Sequence, residues 1–332
     1  MSEVAVFHHR QLENRLDNPA LDAGARMLAN RLEKNLRTVG KWAAQQGHAC
    51  YRLYDADMPE FAFAIDVYGE RVHLQEYQAP ATVPEEKVLL HREQALAAVQ
   101  HVLKTRTDHL VLKTRQRQKG KAQYQALDEQ GHDFVVSEGP ARYWINLERY
   151  LDSGVFLDHR PVRRFIHEQA ADKRFLNLFC YTATATVQAA LGGARSSLSV
   201  DLSNTYLDWA RRNFQLNALD QNRHRLIQKD CIHYLRNSKD RFDLIFLDPP
   251  TFSNSKRTDN VLDIQRDHVE LIRNSLRMLE QDGLLIFSTN HRRFKLDTAQ
   301  LSRFRLEDWT RPSIDKDFAR NPKIHQVWMI SR

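Results

Sequence analysis

From Phe175 to Ser288 short apolar runs alternate with helix-length segments, a pattern that specifies a doubly wound parallel sheet with helices on both faces. Phe175–Cys180 reads as the first strand and Ala183–Leu191 as its helix; Ser197–Val200 and Ser203–Asn217 repeat the unit, and Arg225–Gln228 is the third strand. Leu244–Leu247 is the fourth strand, Ile264–Leu279 a helix and Gly283–Ser288 the fifth strand, with Phe304–Leu306 and Val327–Ile330 expected to add partly antiparallel strands. The fourth strand carries the sharpest signal. Its apolar run is unbroken, as a strand buried on both faces requires, and it stops at Asp248-Pro249-Pro250-Thr251-Phe252. Proline has no N–H for the ladder, so the chain leaves the sheet there, at the carboxyl edge where open α/β sheets place their ligands.

Carboxylates end three successive strands: Asp201 the second, Asp230 the third and Asp248 the fourth. Taken singly, each reads more readily as a helix N-cap than as a ligand; together they favour a bound ligand. The first turn, Asn177–Ala185, lacks the G-x-G-x-x-G that lets backbone approach a pyrophosphate, so a dinucleotide is disfavoured. S-adenosylmethionine has no phosphate. Its ribose hydroxyls suit Asp201, about twenty residues beyond the loop, its adenine amine suits Asp230, and its methionine end suits the backbone of the first loop.

Ahead of the sheet the pattern differs. Residues 1–20 show no periodicity and read as a tail or linker, and 21–48 as a basic amphipathic helix, with Met27, Leu28, Leu32, Leu36, Val39 and Trp42 against Arg31, Lys34, Arg37 and Lys41. Residues 49–150 read as a small α+β domain: strands at Tyr51–Tyr54, Ala62–Val67 and Val72–Tyr77, a helix over Val83–Leu103, then strands at His109–Thr114, Gln123–Leu127 and Asp133–Glu138. Arg115, Arg117, Lys119 and Lys121 alternate along an extended segment and so share a face. With Lys113 they can track a phosphate backbone, and Tyr124 offers a stacking surface. A solvated charged hairpin is the plainer alternative.

The 332 residues carry 49 Lys+Arg against 42 Asp+Glu, a net charge of +7 that favours a polyanionic partner. Three cysteines, Cys50, Cys180 and Cys231, are too few for a disulfide framework or metal cluster and fit a reducing cytoplasm. Met1–Arg10 lacks the apolar core of a secretory signal and no run reaches membrane-spanning length, so neither export nor a membrane anchor is expected.

With Asn177–Thr182, Val200-Asp201-Leu202-Ser203 and Asp248–Arg257 in hand, the chain resembles the class I S-adenosylmethionine-dependent RNA methyltransferases. Within them it is similar to the C-terminal half of the bifunctional bacterial large-subunit rRNA enzymes, the half that makes 7-methylguanosine in 23S rRNA. The resemblance runs from about Asn30 onward, with Cys50–Asp57, Leu112–Lys121, Gly154–Arg160 and Asp317–Asn321 as supporting strings. It implies a Rossmann-like methyltransferase domain over 151–332 and an RNA-contacting domain before it. Implied cofactor neighbours are Phe156, Asp158, Asn177, Phe179, Tyr181, Thr182, Leu202 and Cys231, beside Asp201, Asp230 and Asp248. The other half of such enzymes, an RNA-binding THUMP module with a guanine-N2 methyltransferase, is absent from this chain, which is therefore expected to be a stand-alone version, a split-gene product or an excised half. Implied partners are 23S rRNA or a large-subunit assembly intermediate, and a separate THUMP/guanine-N2 half. The resemblance departs at Ala183, where the family carries glycine and where a Cβ is expected to narrow the room for methionine.

Guanine N7 is a lone-pair nucleophile with no proton to lose, so its methylation needs alignment more than a base or a metal. The absence of an obvious His–carboxylate pair from the motifs agrees with that. Asp248 is the candidate to stabilise the cationic product ring, with Pro249 and Phe252 positioning the base and Lys256 and Arg257 clamping phosphate. N7 lies in the deep groove of A-form duplex, so the target guanine must be unpaired or flipped. Cytosine-C5 methylation would need a cysteine nucleophile; a related family carries one after the fifth strand, where this chain has Ser288-Thr289-Asn290-His291. A non-catalytic RNA-binding or ribosome-assembly module remains the alternative of another class, and a nicotinamide-dependent oxidoreductase the third.

Overall fold

The computed structural model describes residues 21–80, 82–115, 131–150, 152–253 and 262–332, with the Arg115 side chain left out. Two compact units emerge, one from Met1–Gly139 with Ile145–Ser153, the other from Pro140–Trp144 with Gly154–Arg332.

The first unit opens with α1 (Ala23–Asn35), capped by the Asp22 carboxylate on the Ala25 amide, and continues through a π turn into α2 (Lys41–Gln45). Strands β1 (Cys50–Asp55), β2 (Phe63–Tyr68) and β3 (Arg71–Tyr77) form an antiparallel meander; α3 (Glu85–Leu103) then crosses over so that β4 (Leu110–Arg115) lies parallel to β3. Leu28 and Leu32 of α1 share a core with Leu53, Ile65, Leu74, Leu96, Val99 and Leu112, so the amphipathic helix is an integral layer of this unit. Met27, expected on the apolar face of the first helix, is exposed. Strand β5 (Asp133–Glu138) ends this run of the first unit, and β6 (Ala141–Asn146) follows, its residues 141–144 belonging to the second unit.

Lys113 corrects the expected basic face. Its side chain is buried and its ammonium donates to the Tyr150 carbonyl, which removes it from any phosphate-tracking surface. Arg115 pairs through its backbone with Tyr77. Arg117, Lys119, Lys121, Tyr124, the strand expected at Gln123–Leu127, Lys256 and Arg257 lie outside the described residues.

In the second unit, α4 (Arg160–Gln169), β7 (Arg174–Leu178), α5 (Thr184–Leu191), β8 (Ser196–Asp201), α6 (Asn204–Leu216), β9 (His224–Gln228), α7 (Cys231–Asn237) and β10 (Phe242–Leu247) follow one another. Then come the short pair β11 (Phe252–Ser253) and β12 (Leu262–Asp263), α8 (Ile264–Arg277), β13 (Leu279–Thr289), β14 (Arg305–Asp308) and β15 (Gln326–Ser331). The sheet order is β14-β15-β13-β10-β7-β8-β9. Strands β9, β8, β7, β10 and β13 run parallel, while β15 is antiparallel to both β13 and β14.

Strand periodicity sorts the side chains between two layers. Leu176, Leu178, Ile245 and Leu247 face a core shared with Tyr234 and Leu235 of α7 and Ile272 and Leu276 of α8. Phe175, Leu244 and Phe246 face the opposite core, with Val162 and Ile166 of α4 and Ala185 and Ala189 of α5. The fold is thus a Rossmann-like, doubly wound α/β sandwich. The chain grows outward from β7 to β9, then returns to the other side of β7 at β10, and that reversal opens a crevice at the carboxyl ends of β7 and β10. Helices α4 and α7 have no counterpart in the sequence-based expectations.

Candidate active site

The loop after β7 forms the floor. Phe179, Tyr181 and Ala183 have φ of 56°, 51° and 57°, three left-handed residues alternating with Cys180 and Thr182, none of them glycine. Such backbone persists only where its surroundings hold it, and here the holding bonds are explicit. The Phe179 amide donates to Cys231 Sγ (3.2 Å), the Cys180 amide to the Val200 carbonyl (3.1 Å), the Tyr181 amide to Asp201 Oδ2 (3.0 Å) and the Ala183 amide to the Cys180 carbonyl (2.8 Å). Thr182 Oγ1 donates to the Gly154 carbonyl (2.6 Å), and Asn213 Nδ2 to the Thr182 carbonyl (2.9 Å). Asn177, expected at the cofactor, is buried and points at α5, donating to Thr186 Oγ1 (2.9 Å). Ala183 is fully enclosed, so its Cβ packs inside the protein and does not narrow an open crevice, contrary to expectation.

Asp201, at the end of β8, also accepts from the Ser203 amide (2.9 Å). Burial raises its carboxyl above the ordinary value, against the lowering effect of those backbone donors. Backbone donors do not exhaust the acceptor capacity of two carboxylate oxygens, so lone pairs remain for further hydroxyls. Leu202 follows it. Asp230, after β9, caps α7 by accepting from the His233 amide (2.7 Å). Cys231 accepts from Phe179 and donates to the Val200 carbonyl (3.4 Å), so it is a tie between loop and sheet as well as a packing residue. Burial pushes the Cys180 and Cys231 thiols well above their ordinary value, with the Asp201 charge adding to it. Neither is a ready nucleophile.

Beside this floor stand aromatic walls. Phe156, 39% exposed, lies 5.1 Å from the Tyr181 ring, which packs edge-on to Tyr206 at 4.6 Å. Across the crevice, β10 ends at Asp248, with Pro249 and Pro250 turning the chain toward Phe252, which is 58% exposed on β11. Thr251 Oγ1 donates to Asn290 Oδ1 (2.6 Å) at the end of β13.

The absence of a His–carboxylate pair does not hold. His159 Nε2 lies 3.7 Å from Asp248 Oδ2 and 2.8 Å from Ser288 Oγ, while Nδ1 lies 3.3 Å from Asp158 Oδ2. Asp158 is itself 2.8 Å from His325 Nδ1, whose Nε2 meets Ser313 Oγ at 2.9 Å. Asp158, implied as a cofactor neighbour, is therefore the centre of a buried network. Burial works to raise its carboxyl, but His159 and then His325 hold it well below the usual carboxylate range. A separation of 2.8 Å is a hydrogen bond's length and places a proton between the groups; ligands on a zinc ion at about 2.0–2.1 Å would stand further apart. Asp158 and His159 adjoin in the sequence, but Asp248, Ser288 and His325 reach them from three distant segments, which is why sequence reasoning passed over His159 and His325. Nearby, Arg160 pairs with Asp317 (3.1 Å) and Asp315 (3.0 Å), binding the string at Asp317–Asn321 to the start of α4.

This donor set suits S-adenosylmethionine. Three carboxylates on one sheet edge favour a cationic sulfonium, Asp201 retains acceptor capacity for ribose, and no glycine cradle for a pyrophosphate is present in the first loop.

Comparisons with known proteins agree. A protein-family model described as S-adenosylmethionine-dependent methyltransferase matches residues 71–313. A ribosomal RNA large subunit methyltransferase K/L from Chromohalobacter salexigens is 57% identical over 307 residues, covering 92% of this chain and 42% of the relative. The protein of the same name from Cellvibrio japonicus is 54% identical over 323 residues, covering 94% and 43%. The chain thus spans less than half the length of these curated relatives. A methyltransferase crystallised with SAH superposes with a TM-score of 0.71 at 26% identity, over 92% of this chain and 82% of that one. With its crevice at the strand reversal and its family model spanning most of the sequence, the chain belongs to the S-adenosylmethionine-dependent methyltransferase family, and S-adenosylmethionine is its cofactor.

Proposed function

We propose that the chain methylates N7 of a guanine in 23S rRNA. The observation that carries this reading is the pairing of a partly exposed carboxylate, Asp248, with an exposed aromatic ring, Phe252, on a proline-stiffened edge of the crevice. The names of the large-subunit rRNA relatives support the substrate class.

When bound, S-adenosylmethionine supplies a methyl group activated on a sulfonium. Asp201 and the first loop hold the cofactor, with Phe156, Tyr181, Leu202, Asp230 and Cys231 around it. Phe252 presents a flat face to a base that has left its stack, worth about 1–3 kcal/mol. Pro249 and Pro250 fix the approach, so that the N7 lone pair meets the methyl carbon in line. No residue has to remove a proton. The Asp248 carboxylate counters the positive charge that grows on the purine. The first unit, with Arg115, Arg117, Lys119 and Lys121, together with Lys256 and Arg257, guides the RNA backbone.

The same residues favour this reading over two rivals. Cytosine-C5 chemistry needs a thiolate, and both crevice cysteines are held as thiols while Ser288 bonds His159. A purely RNA-binding role does not call for the spare acceptor capacity of Asp201.

The test is incubation with labelled S-adenosylmethionine and unmodified 23S rRNA, followed by borohydride and aniline mapping. Cleavage at a guanine is expected. Label confined to cytosines or exocyclic amines refutes the assignment, and a calorimetric trace without cofactor binding favours the non-catalytic role.

A further inference from the structure

The network behind Asp248 is larger than a structural ion pair requires. His159 is buried, its ring nitrogens directed toward carboxylates on opposite sides, Asp158 at 3.3 Å and Asp248 at 3.7 Å. Ser288 occupies the Nε2 side at 2.8 Å, and Nδ1 has no hydrogen-bond partner of good geometry. A neutral imidazole carries one N–H and would face one of the two acids without a donor. A doubly protonated ring places its positive charge between the two carboxylates and turns an N–H toward the side of each.

We infer that His159 is a positioning residue for methyl transfer, an imidazolium set between Asp158 and Asp248 that fixes the direction in which the Asp248 carboxylate points into the crevice. The inference rests on the reading of Asp248 given above. Charges reach this ring from each element around it. Asp158 and His325 stand on one side and Asp248 on the other, and Arg163 of α4 opposes the proton. Burial also works against it, yet Asp248 first and Asp158 second raise His159 above its ordinary value of 6.5. Loss of the proton leaves two carboxylates facing a neutral ring. Asp248, itself partly exposed, then turns toward water.

The consequence is a pH dependence that the substrate chemistry does not supply. Guanine N7 and the sulfonium lose no proton in the reaction, so a fall in kcat as pH rises through the His159 titration belongs to the protein. The direction follows from a raised value: the charged form is complete below 6.5 and disappears as pH climbs past the folded-state value.

The experiment has two arms on the 332-residue chain. In the first, histidine-labelled NMR follows the ring carbons with pH, the His159 signal being assigned by its loss in His159→Gln. A titration above 6.5 that moves down in Asp248→Asn is expected; a ring that stays neutral across the range, or ignores Asp248→Asn, overturns the inference. The second measures methyl transfer to unmodified 23S rRNA against pH. His159→Gln is expected to lower kcat about ten-fold, less than loss of a group in direct contact with the transition state, to leave S-adenosylmethionine affinity within about two-fold, and to flatten the alkaline limb. Asp158→Asn, which keeps the histidine, is expected to shift that limb to lower pH. An alkaline limb unchanged in both variants overturns the inference. If wild-type protein transfers no methyl group at all, the guanine reading fails while the NMR arm still decides the role of His159.

Discussion

The Gly154 amide donates to the Tyr181 hydroxyl at 2.9 Å, and the Gly154 carbonyl accepts from Thr182 Oγ1 at 2.6 Å, so one glycine clasps two residues of the loop after β7. Its φ of 105° is open to glycine almost alone, and an added Cβ would meet Trp209 Cζ2 at 2.4 Å and the Trp144 carbonyl at 2.9 Å. Gly154→Ala is expected to lower stability by about 2–4 kcal/mol in urea unfolding. Cofactor affinity measured by calorimetry falls with it, because the clasp and the loop move together.

Phe252 separates chemistry from folding. With more than half its surface in water, truncation removes little burial, and Phe252→Ala is expected to leave the urea midpoint unchanged. Methyl transfer to RNA should fall roughly 10- to 100-fold, the equivalent of about 1–3 kcal/mol of base stacking. A rate equal to wild type would remove Phe252 from the substrate site.

Asp201 gives a pH signature in the ligand-free protein. Burial raises its folded-state value above 3.8, so the folded form holds its proton more tightly than the unfolded chain, and its contribution makes stability fall as pH climbs from 3.8 through the raised value. Urea unfolding of wild type against Asp201→Asn should show that component only in wild type. Loss of the ionic acceptor is expected to weaken S-adenosylmethionine about 10- to 100-fold in calorimetry.

The crevice thiols are expected to resist iodoacetamide at pH 8 until the protein is unfolded, since burial keeps them protonated. Cys180→Ala should retain methyl transfer within about two-fold, and Cys231→Ala should cost about 1–3 kcal/mol by stranding the Phe179 amide. Abolished transfer in Cys180→Ala with cofactor binding intact would reinstate covalent chemistry.

Arg160→Ala should be the most destabilising of these changes, about 3–5 kcal/mol, because it takes from the buried Asp317 carboxylate the guanidinium that pairs with it at 3.1 Å. Denaturant unfolding measures it directly.

The parallel sheet and its edge were readable from the chain because strands such as Leu244–Leu247 are apolar throughout and end in residues that cannot continue a ladder. Helix α4 was not, since it buries Arg160 and Arg163 and so hides its inward face behind charge. Helix α7 was missed because seven residues after an Asp230 cap are too few to show a period. The site divides in the same way. Asp201 and Asp248 announce themselves by position, whereas the His325–Asp158 contact joins residues 167 apart, a closeness created only by the order in which strands assemble. Lys113 taught the converse: alternation placed it among solvent-facing cations, and a carbonyl from the Tyr150 turn claimed it.

The alternating left-handed backbone at Phe179, Tyr181 and Ala183 has a kinetic corollary. Its torsional cost is met once, as the protein acquires its tertiary structure, and no rearrangement is left for the arriving nucleoside to drive. Association should therefore proceed in a single phase, linear in ligand concentration, with no slow isomerisation after encounter.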